Sequence, residues 1–243
     1  MLNKRSKQIR RDTIKLSKAN GGYHYGGSFS VVEILISLYD NVMTDADKFI
    51  LSKGHACWPY YVLLREKGYN PRLQGHPTLD EANGIHYTTG SEGHGFPAAI
   101  GMALARKIQK RAGKIYVVVG DGECQEGTTW ESLLLANRYK LDNLVVIVDW
   151  NGIQGSGYVK DILPIPNFDK VGELLGWSVS IVDGHNCEEI TEALQKQVAG
   201  QPHLIIAHTV KGKGVSYMEN QPCWHAQWPA PDYERQAFEE LED

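Results

Sequence analysis

The first part of the chain carries apolar residues at helical spacing. A helix is predicted over 4–22 and ends at Gly21 and Gly22, because glycine readily adopts the left-handed turn of a helix C-terminus. Three further helices are predicted over 30–42, 57–69 and 96–113.

The second part alternates short apolar strands with helices. Strands rich in Val and Ile are predicted near 115–119, 144–149, 178–182 and 203–208. The helices between them are predicted near 126–140, 169–176 and 187–199, and a last one in the acidic segment 232–243. This order predicts an α/β fold with a parallel sheet and helices on both of its faces.

Composition is consistent with a single domain over residues 1–243, since 42% of the 243 residues are hydrophobic. The formal net charge of −4 gives no general attraction to nucleic acid. The N-terminal segment is nevertheless basic, and a solvated helix face explains it better than a binding arm. Its basic residues are Lys4, Arg5, Lys7, Arg10, Arg11, Lys15 and Lys18.

Cysteine spacing and hydropathy indicate in which cellular compartment the protein is expected. The four cysteines form no CxxC pair, so neither a disulfide framework nor a zinc site is indicated. The longest apolar run, 31–39, is too short to cross a membrane and contains Glu33. The N-terminus also lacks the apolar core of a signal peptide. We expect a soluble, cytoplasmic protein.

Two small polar clusters follow neighbouring strands of the predicted sheet. One contains Gly120, Asp121 and Gly122, and the other contains Asn151. Ligands of parallel sheets bind beyond the carboxyl ends of the strands, so both clusters are expected to face one crevice. The glycines allow a sharp turn with exposed amides, and the carboxylate and amide oxygens suit Mg²⁺. A diphosphate cofactor bridged by Mg²⁺ is the economical interpretation.

Five motifs together resemble the N-terminal, diphosphate-binding part of the transketolase family. In chain order they are GGYHYGGSFS, FILSKGHACWPYY, LQGHPTLDEANGIHYTTGSEGHG, GDGECQEGTTWE with DWNGIQGSG, and HTVKGKGVSYMENQPCWHAQWPA. The resemblance covers nearly the whole chain. It implies a thiamine diphosphate-binding fold and transfer of a two-carbon ketol unit from a ketose to an aldose.

The resemblance also implies a cofactor site. Asp121, Asn151 and the backbone carbonyl of Ile153 would hold Mg²⁺, with Gly120 and Gly122 against the diphosphate.

Four histidines fall inside the matching motifs. By resemblance His55 and His225 lie near the diphosphate, and His225 is also a catalytic candidate. His24 and His76 match histidines that contact substrate hydroxyls and assist proton movement. Neutral imidazole suits these roles because it both donates and accepts hydrogen bonds.

One loop departs from the family pattern. Gly90 begins the segment GSEGHG, which is expected beside the aminopyrimidine of the cofactor and has Glu92 at a usual leucine position and His94 at a usual glutamine position. Glu92 either faces the cofactor, where a partly buried carboxylate would alter substrate choice or proton transfer, or turns outward.

Glu126 and Glu131 match acidic residues that lie between two cofactor sites in transketolases. A solvated helix start is the alternative, with Glu126 stabilised by the helix dipole.

The resemblance finally implies a partner. The pyrimidine-binding domain with its activating glutamate, and the C-terminal domain, have no counterpart in this sequence. We therefore expect one subunit of a split transketolase that self-associates and also binds a separate C-terminal subunit. The resulting two-plus-two assembly would act on sugars or sugar phosphates. A noncatalytic or regulatory thiamine diphosphate-binding subunit, or another thiamine diphosphate-dependent ketol or acyl transferase, is the alternative.

Overall fold

The computed structural model describes residues 2–165 and 167–242. Asp243, the last residue of the predicted C-terminal helix, lies outside the described residues. The strands are β1 (Lys48–Leu51), β2 (Ile115–Gly120), β3 (Leu144–Trp150), β4 (Ile153–Gln154), β5 (Gly157–Tyr158), β6 (Ser178–Asp183) and β7 (His203–His208). Within the described chain, five of them form one parallel sheet in the order β1-β2-β3-β7-β6, and β4 and β5 form an antiparallel hairpin.

The helices surround this sheet. They are α1 (Lys4–Ala19), α2 (Tyr25–Ser30), α3 (Val32–Ile36), α4 (Trp58–Glu66), α5 (Gly95–Ile108), α6 (Gly127–Arg138), α7 (Val159–Ile162), α8 (Phe168–Leu174), α9 (Cys187–Gln195) and α10 (Pro231–Glu240). None of the described helices is long and apolar enough to cross a membrane.

Alternation along the strands explains why helices cover both faces. Tyr116 and Val118 of β2 are buried with α1, α3, α4 and α9, whereas Val117 and Val119 are buried with α5, α6 and α8. Successive side chains of a strand point to opposite faces, so a strand that is apolar at every position needs a layer on each side. The predicted α/β class and sheet are confirmed.

Several details differ from the sequence prediction, such as the short elements α2, α7, β4 and β5, which were not predicted. The predicted helix over 30–42 is divided at Val31 and continues after α3 as a π-helical turn over Ser37–Val42. Strand β1 was not predicted, because a strand of four residues with three apolar positions is too short to be recognised from its pattern.

The basic helix α1 is not simply solvated. Lys18 pairs with Glu234 of α10 at 2.8 Å, and Arg5 pairs with Asp40 and with Glu66 of α4. The basic residues therefore help to attach α1 to its neighbours.

Candidate functional site

A cavity of about 380 Å³ opens at the carboxyl ends of the sheet strands. Segments that follow β1, β2, β3 and β7 supply most of its wall, because parallel strands end at a common edge. It is lined by His24, Lys53, His55, His76, Gly90, Glu92, Gly120, Asp121, Gly122, Glu123, Asn151, Ile153, Gln154, Gly155, Ser156, Lys211 and His225.

The structure brings together every residue proposed from the sequence to bind cofactor or metal or to act on substrate. The four histidines, the three glycines, Glu92, Asp121, Asn151 and Ile153 all lie on this one cavity. Their chemical roles remain predictions. His94, Glu126 and Glu131 are exposed and are not among its described lining residues.

The two polar clusters are joined by direct hydrogen bonds. β2 and β3 are adjacent, and the buried carboxylate of Asp121 accepts hydrogen bonds from the amides of Gly122 (2.7 Å) and Gly152. Asn151 Oδ1 accepts one from the amide of Ile153 at 3.1 Å. Burial and the nearby charge of Asp149 raise the pKa of Asp121 to about 6. The two clusters therefore lie side by side in the wall of one cavity.

The donor set fits a hard cation. No three His, Cys, Asp or Glu side chains of the described chain converge as a metal site. A cation here would depend on the mixed oxygens of Asp121, Asn151 and the Ile153 carbonyl, the type that Mg²⁺ prefers. That carbonyl already accepts a hydrogen bond from the ammonium of Lys211 at 2.8 Å, so positive charge is stabilised at this point.

Two lysines of the cavity were missed by sequence reasoning. The buried ammonium of Lys53 donates to Asp149 and to the Gly27 carbonyl. Burial lowers the pKa of Lys211 to about 8. Both lysines lie inside the matching motifs, in SKGHA and TVKGKG, and this position is the signal that could have identified them. They make this side of the cavity attractive to an anion.

The four histidines form a compact group. Their ring centroids are 5.0 Å apart for His55 and His225, 5.4 Å for His24 and His225, 5.6 Å for His24 and His55, and 6.4 Å for His24 and His76. Burial lowers the pKa of His24 to about 4 and of His225 to about 3, and it also lowers the pKa of His55. These three imidazoles are therefore neutral near pH 7.

The 90–95 loop is fixed to the rest of the site. Glu123 accepts a hydrogen bond from the amide of Gly93 at 2.8 Å, and Ser52 accepts one from the amide of Gly95 at 3.1 Å. Burial raises the pKa of Glu123 to about 7. Gly90 and Gly93 have φ values of 141° and 84°, which favour glycine.

Glu92 faces the cavity. Its carboxylate oxygen lies 3.2 Å from Nδ1 of His55, and 43% of the side chain is exposed. The inward orientation, one of the two left open by the sequence, is the one observed.

Comparison with known proteins assigns the fold to a family. Residues 9–231 match the family described as transketolase, thiamine diphosphate binding domain. A relative from Actinobacillus succinogenes, named as one of the subunits of an apulose-4-phosphate transketolase, is 40% identical over 265 residues that cover 100% of this chain and 96% of the relative. A Clostridium protein, named as the SqwG subunit of a 6-deoxy-6-sulfo-D-fructose transketolase, is 35% identical, with coverages of 96% and 94%.

Longer transketolases match over part of their length. Human transketolase is 35% identical over 92% of this chain and 39% of its own length. The structure of transketolase from Campylobacter jejuni aligns with a TM-score of 0.82 at 27% identity, over 98% of this chain and 42% of that chain. The Leishmania mexicana enzyme shares the fold, with a TM-score of 0.83 at 22% identity over 99% of this chain and 45% of that chain.

Proposed function

This chain belongs to the transketolase family and has thiamine diphosphate as its cofactor, and we propose that it is the N-terminal, diphosphate-binding subunit of a split transketolase. The observation that carries the proposal is the single cavity that joins the Asp121 and Asn151 clusters, two lysines and four histidines. The lysines of this cavity can bind an anion, the oxygens of Asp121 and Asn151 can bind a hard cation, and the histidines can bind a hydroxylated substrate.

Within this site, Asp121, Asn151 and the Ile153 carbonyl would hold Mg²⁺. Lys53, Lys211, His55 and His225 form the side of the cavity where an anionic diphosphate is favoured, and the amides near Gly120 and Gly122 add hydrogen-bond donors. When bound, the cofactor supplies a carbanionic carbon and an electron sink for a two-carbon fragment.

The residues of the chain bind, orient and move protons. His24 is neutral at pH 7, so its ring both donates and accepts hydrogen bonds. The ring centroids of His24 and His76 are 6.4 Å apart on the cavity wall, where the two rings can hold hydroxyl groups of one sugar. A noncatalytic diphosphate-binding protein would not need this second pair of groups, so we favour the enzyme.

The substrates are proposed as a ketose donor and an aldose acceptor. The names of the two relatives described above contain a sugar phosphate, apulose-4-phosphate, and a sulfonated sugar, 6-deoxy-6-sulfo-D-fructose. Both sugars carry an anionic group. We propose that a sugar substrate of this chain also carries such an anionic group.

The partner is proposed as a second chain that carries the pyrimidine-binding domain and its activating glutamate. The relatives named as subunits match this chain over nearly their whole length, whereas longer transketolases contain it as 39% of their length. A two-plus-two assembly would give two complete sites. We place this assembly in the cytoplasm.

The test is reconstitution. The chain, purified free of other transketolases, is assayed with Mg²⁺, thiamine diphosphate and several ketoses, before and after addition of a chain that carries the pyrimidine-binding domain. We expect turnover only after mixing. Robust turnover by this chain without a partner would contradict the split-enzyme proposal.

A further inference from the structure

The cavity contains a carboxylate–imidazole pair that the family resemblance does not explain. Glu92 stands at a position where leucine is usual, and its carboxylate lies 3.2 Å from His55 Nδ1. The loop that carries Glu92 is held by hydrogen bonds from its Gly93 and Gly95 amides. The pair is therefore part of a fixed wall of the cavity.

The neutral rings of His55 and His225 carry their proton on different nitrogen atoms, as their contacts show. Because carboxylate only accepts, His55 donates from Nδ1 to Glu92, which leaves its Nε2 as an acceptor in the neutral ring. At His225, the Lys211 ammonium donates to Nδ1 at 2.9 Å, so the proton of that neutral ring is on Nε2. The two rings, 5.0 Å apart, thus offer one acceptor and one donor.

The charges around His55 explain why its proton is sensitive to a bound anion. Lys53 and Lys211 are cationic and oppose a positive charge on His55, whereas Glu92 favours that charge. The neighbouring rings of His24 and His225 are neutral. Burial is the largest cause that lowers the pKa of His55 in the free chain, and the charges of Lys53 and Lys211 add to its effect. A diphosphate beside the lysines would offset their positive charges, so that an imidazolium paired with Glu92 at Nδ1 becomes more favourable than in the free chain.

We propose that Glu92 makes His55 a proton-accepting clamp for the diphosphate: binding adds a proton from solvent to His55 Nε2, and Glu92 stabilises the resulting imidazolium. This rests on the proposed function, which places the diphosphate beside the two lysines. Glu92 acts through His55 and is a positioning residue.

A pH dependence follows from the sign of this linkage. The pKa of His55 rises on binding, so a proton is taken up at pH values between the free and the bound pKa. In that window the dissociation constant increases with pH, by up to about tenfold per pH unit for one proton. Below the free pKa the ring is already charged, and the dependence ends.

The test is isothermal titration calorimetry of the full chain at several pH values around neutrality, in buffers with different ionisation enthalpies. The probes are thiamine diphosphate with Mg²⁺ and inorganic pyrophosphate with Mg²⁺. Their own titration is the same for every variant and cancels in the comparison. Proton uptake is a property of binding and needs no turnover.

Two variants and a control separate the possibilities. Glu92→Gln keeps an oxygen that can accept from Nδ1 but removes the charge, and we expect it to take up fewer protons, by about half a proton or more, with a flatter pH dependence. His55→Asn removes the basic ring nitrogen that takes up the proton and should show the same loss, which keeps the test valid if Glu92→Gln folds poorly. Glu173→Gln, on the exposed surface of α8, should match the wild type.

The outcomes distinguish this inference from the proposed function. Binding of both probes with equal proton uptake in wild type, Glu92→Gln and His55→Asn would overturn the clamp and leave the cofactor site intact. Absence of pyrophosphate binding would contradict the site itself and the clamp with it. A loss of uptake in both variants with pyrophosphate as well as with the cofactor would assign the effect to the diphosphate.

Discussion

At the scale of single residues, Asp121 connects the two loops of the site. Its carboxylate accepts hydrogen bonds from its own loop and from Gly152 of the loop after β3. A buried carboxylate with few neighbouring donors is costly unless a cation compensates its charge. Asp121 is therefore suited both to shape the two loops and to bind a metal ion.

The metal assignment predicts a loss of cofactor affinity. Asp121→Ala and Asn151→Ala each remove an oxygen ligand, so Mg²⁺-dependent binding of thiamine diphosphate by the assembled enzyme should weaken at least about tenfold. Calorimetry with and without Mg²⁺ measures this. Unchanged affinity in both variants would show that the two clusters are ordinary turns.

The histidine roles predict a contrast between two substitutions. His76→Ala should lower kcat about a hundredfold, a usual size for loss of proton transfer, with little change in cofactor affinity. His225→Ala should weaken both, because His225 lies beside Lys211 on the anion side of the cavity. Steady-state kinetics and cofactor titration measure the two effects. Equal changes in cofactor affinity would count against the assignment.

At the scale of elements, a buried ionic network ties helices to the loop that carries Lys211. Arg10 of α1 pairs with Glu33 of α3 at 2.7 and 2.9 Å, and Glu33 also accepts from His185 at 2.8 Å. Arg10 donates to the Lys213 carbonyl, and His185 accepts from the amide of Val210. Both flanks of Lys211 are thereby positioned from distant elements.

This network predicts a large stability loss for one of two matched substitutions. Glu33→Gln leaves the Arg10 charge buried without its partner and should lower the free energy of unfolding by about 3–5 kcal/mol. Glu66→Gln breaks a similar pair that α1 makes with α4 through Arg5, but at the surface, and should cost about 0–1 kcal/mol. Urea unfolding of both variants measures the difference. Similar losses would contradict the proposed importance of burial.

The same pair predicts acid sensitivity. Burial raises the pKa of Glu33, but the Arg10 charge and the hydrogen bonds from His185 and Arg10 outweigh it and lower the pKa to about 2. The stabilisation, about 3 kcal/mol, is therefore complete above about pH 4.5 and is lost as the pH falls towards 2. The stability difference between wild type and Glu33→Gln should shrink over that range.

At the scale of the whole molecule, α6 presents an apolar outer face. Leu134 and Leu135 are 56% and 45% exposed, and they follow Glu131 at three and four residues, which places them on one side of the helix. Glu131 of this helix and Glu126 at its N-cap were predicted to lie between two cofactor sites. We propose that a second copy of this chain covers the face.

Self-association through α6 predicts a change in oligomeric state. Leu134→Asp places a charge in the proposed contact and should shift the chain towards monomer in sedimentation velocity. Leu174→Asp, on the exposed end of α8, is the control and should have no such effect. A wild-type chain that is monomeric at high concentration, or an unaffected variant, would argue against this face.

The sequence by itself determined the α/β class, the strands β2, β3, β6 and β7, and the candidate cofactor, substrate and metal residues. These are local properties: short runs rich in Val and Ile mark strands of a sheet that is covered on both faces, and the short motifs hold the glycine, carboxylate and histidine residues at fixed spacing. Strand β1 was not predicted from the sequence, because four residues are too few to show a recognisable hydrophobic pattern.

Tertiary structure decided which groups meet. Lys53 reaches Asp149 across 96 positions of the chain, Lys211 reaches Ile153 across 58, and Glu92 turns inward to His55. These contacts depend on the order of strands across the sheet and on the anchoring of loops by Glu123 and Ser52. The direction of a side chain in a loop is set by such distant partners, whose positions no local pattern of residues contains.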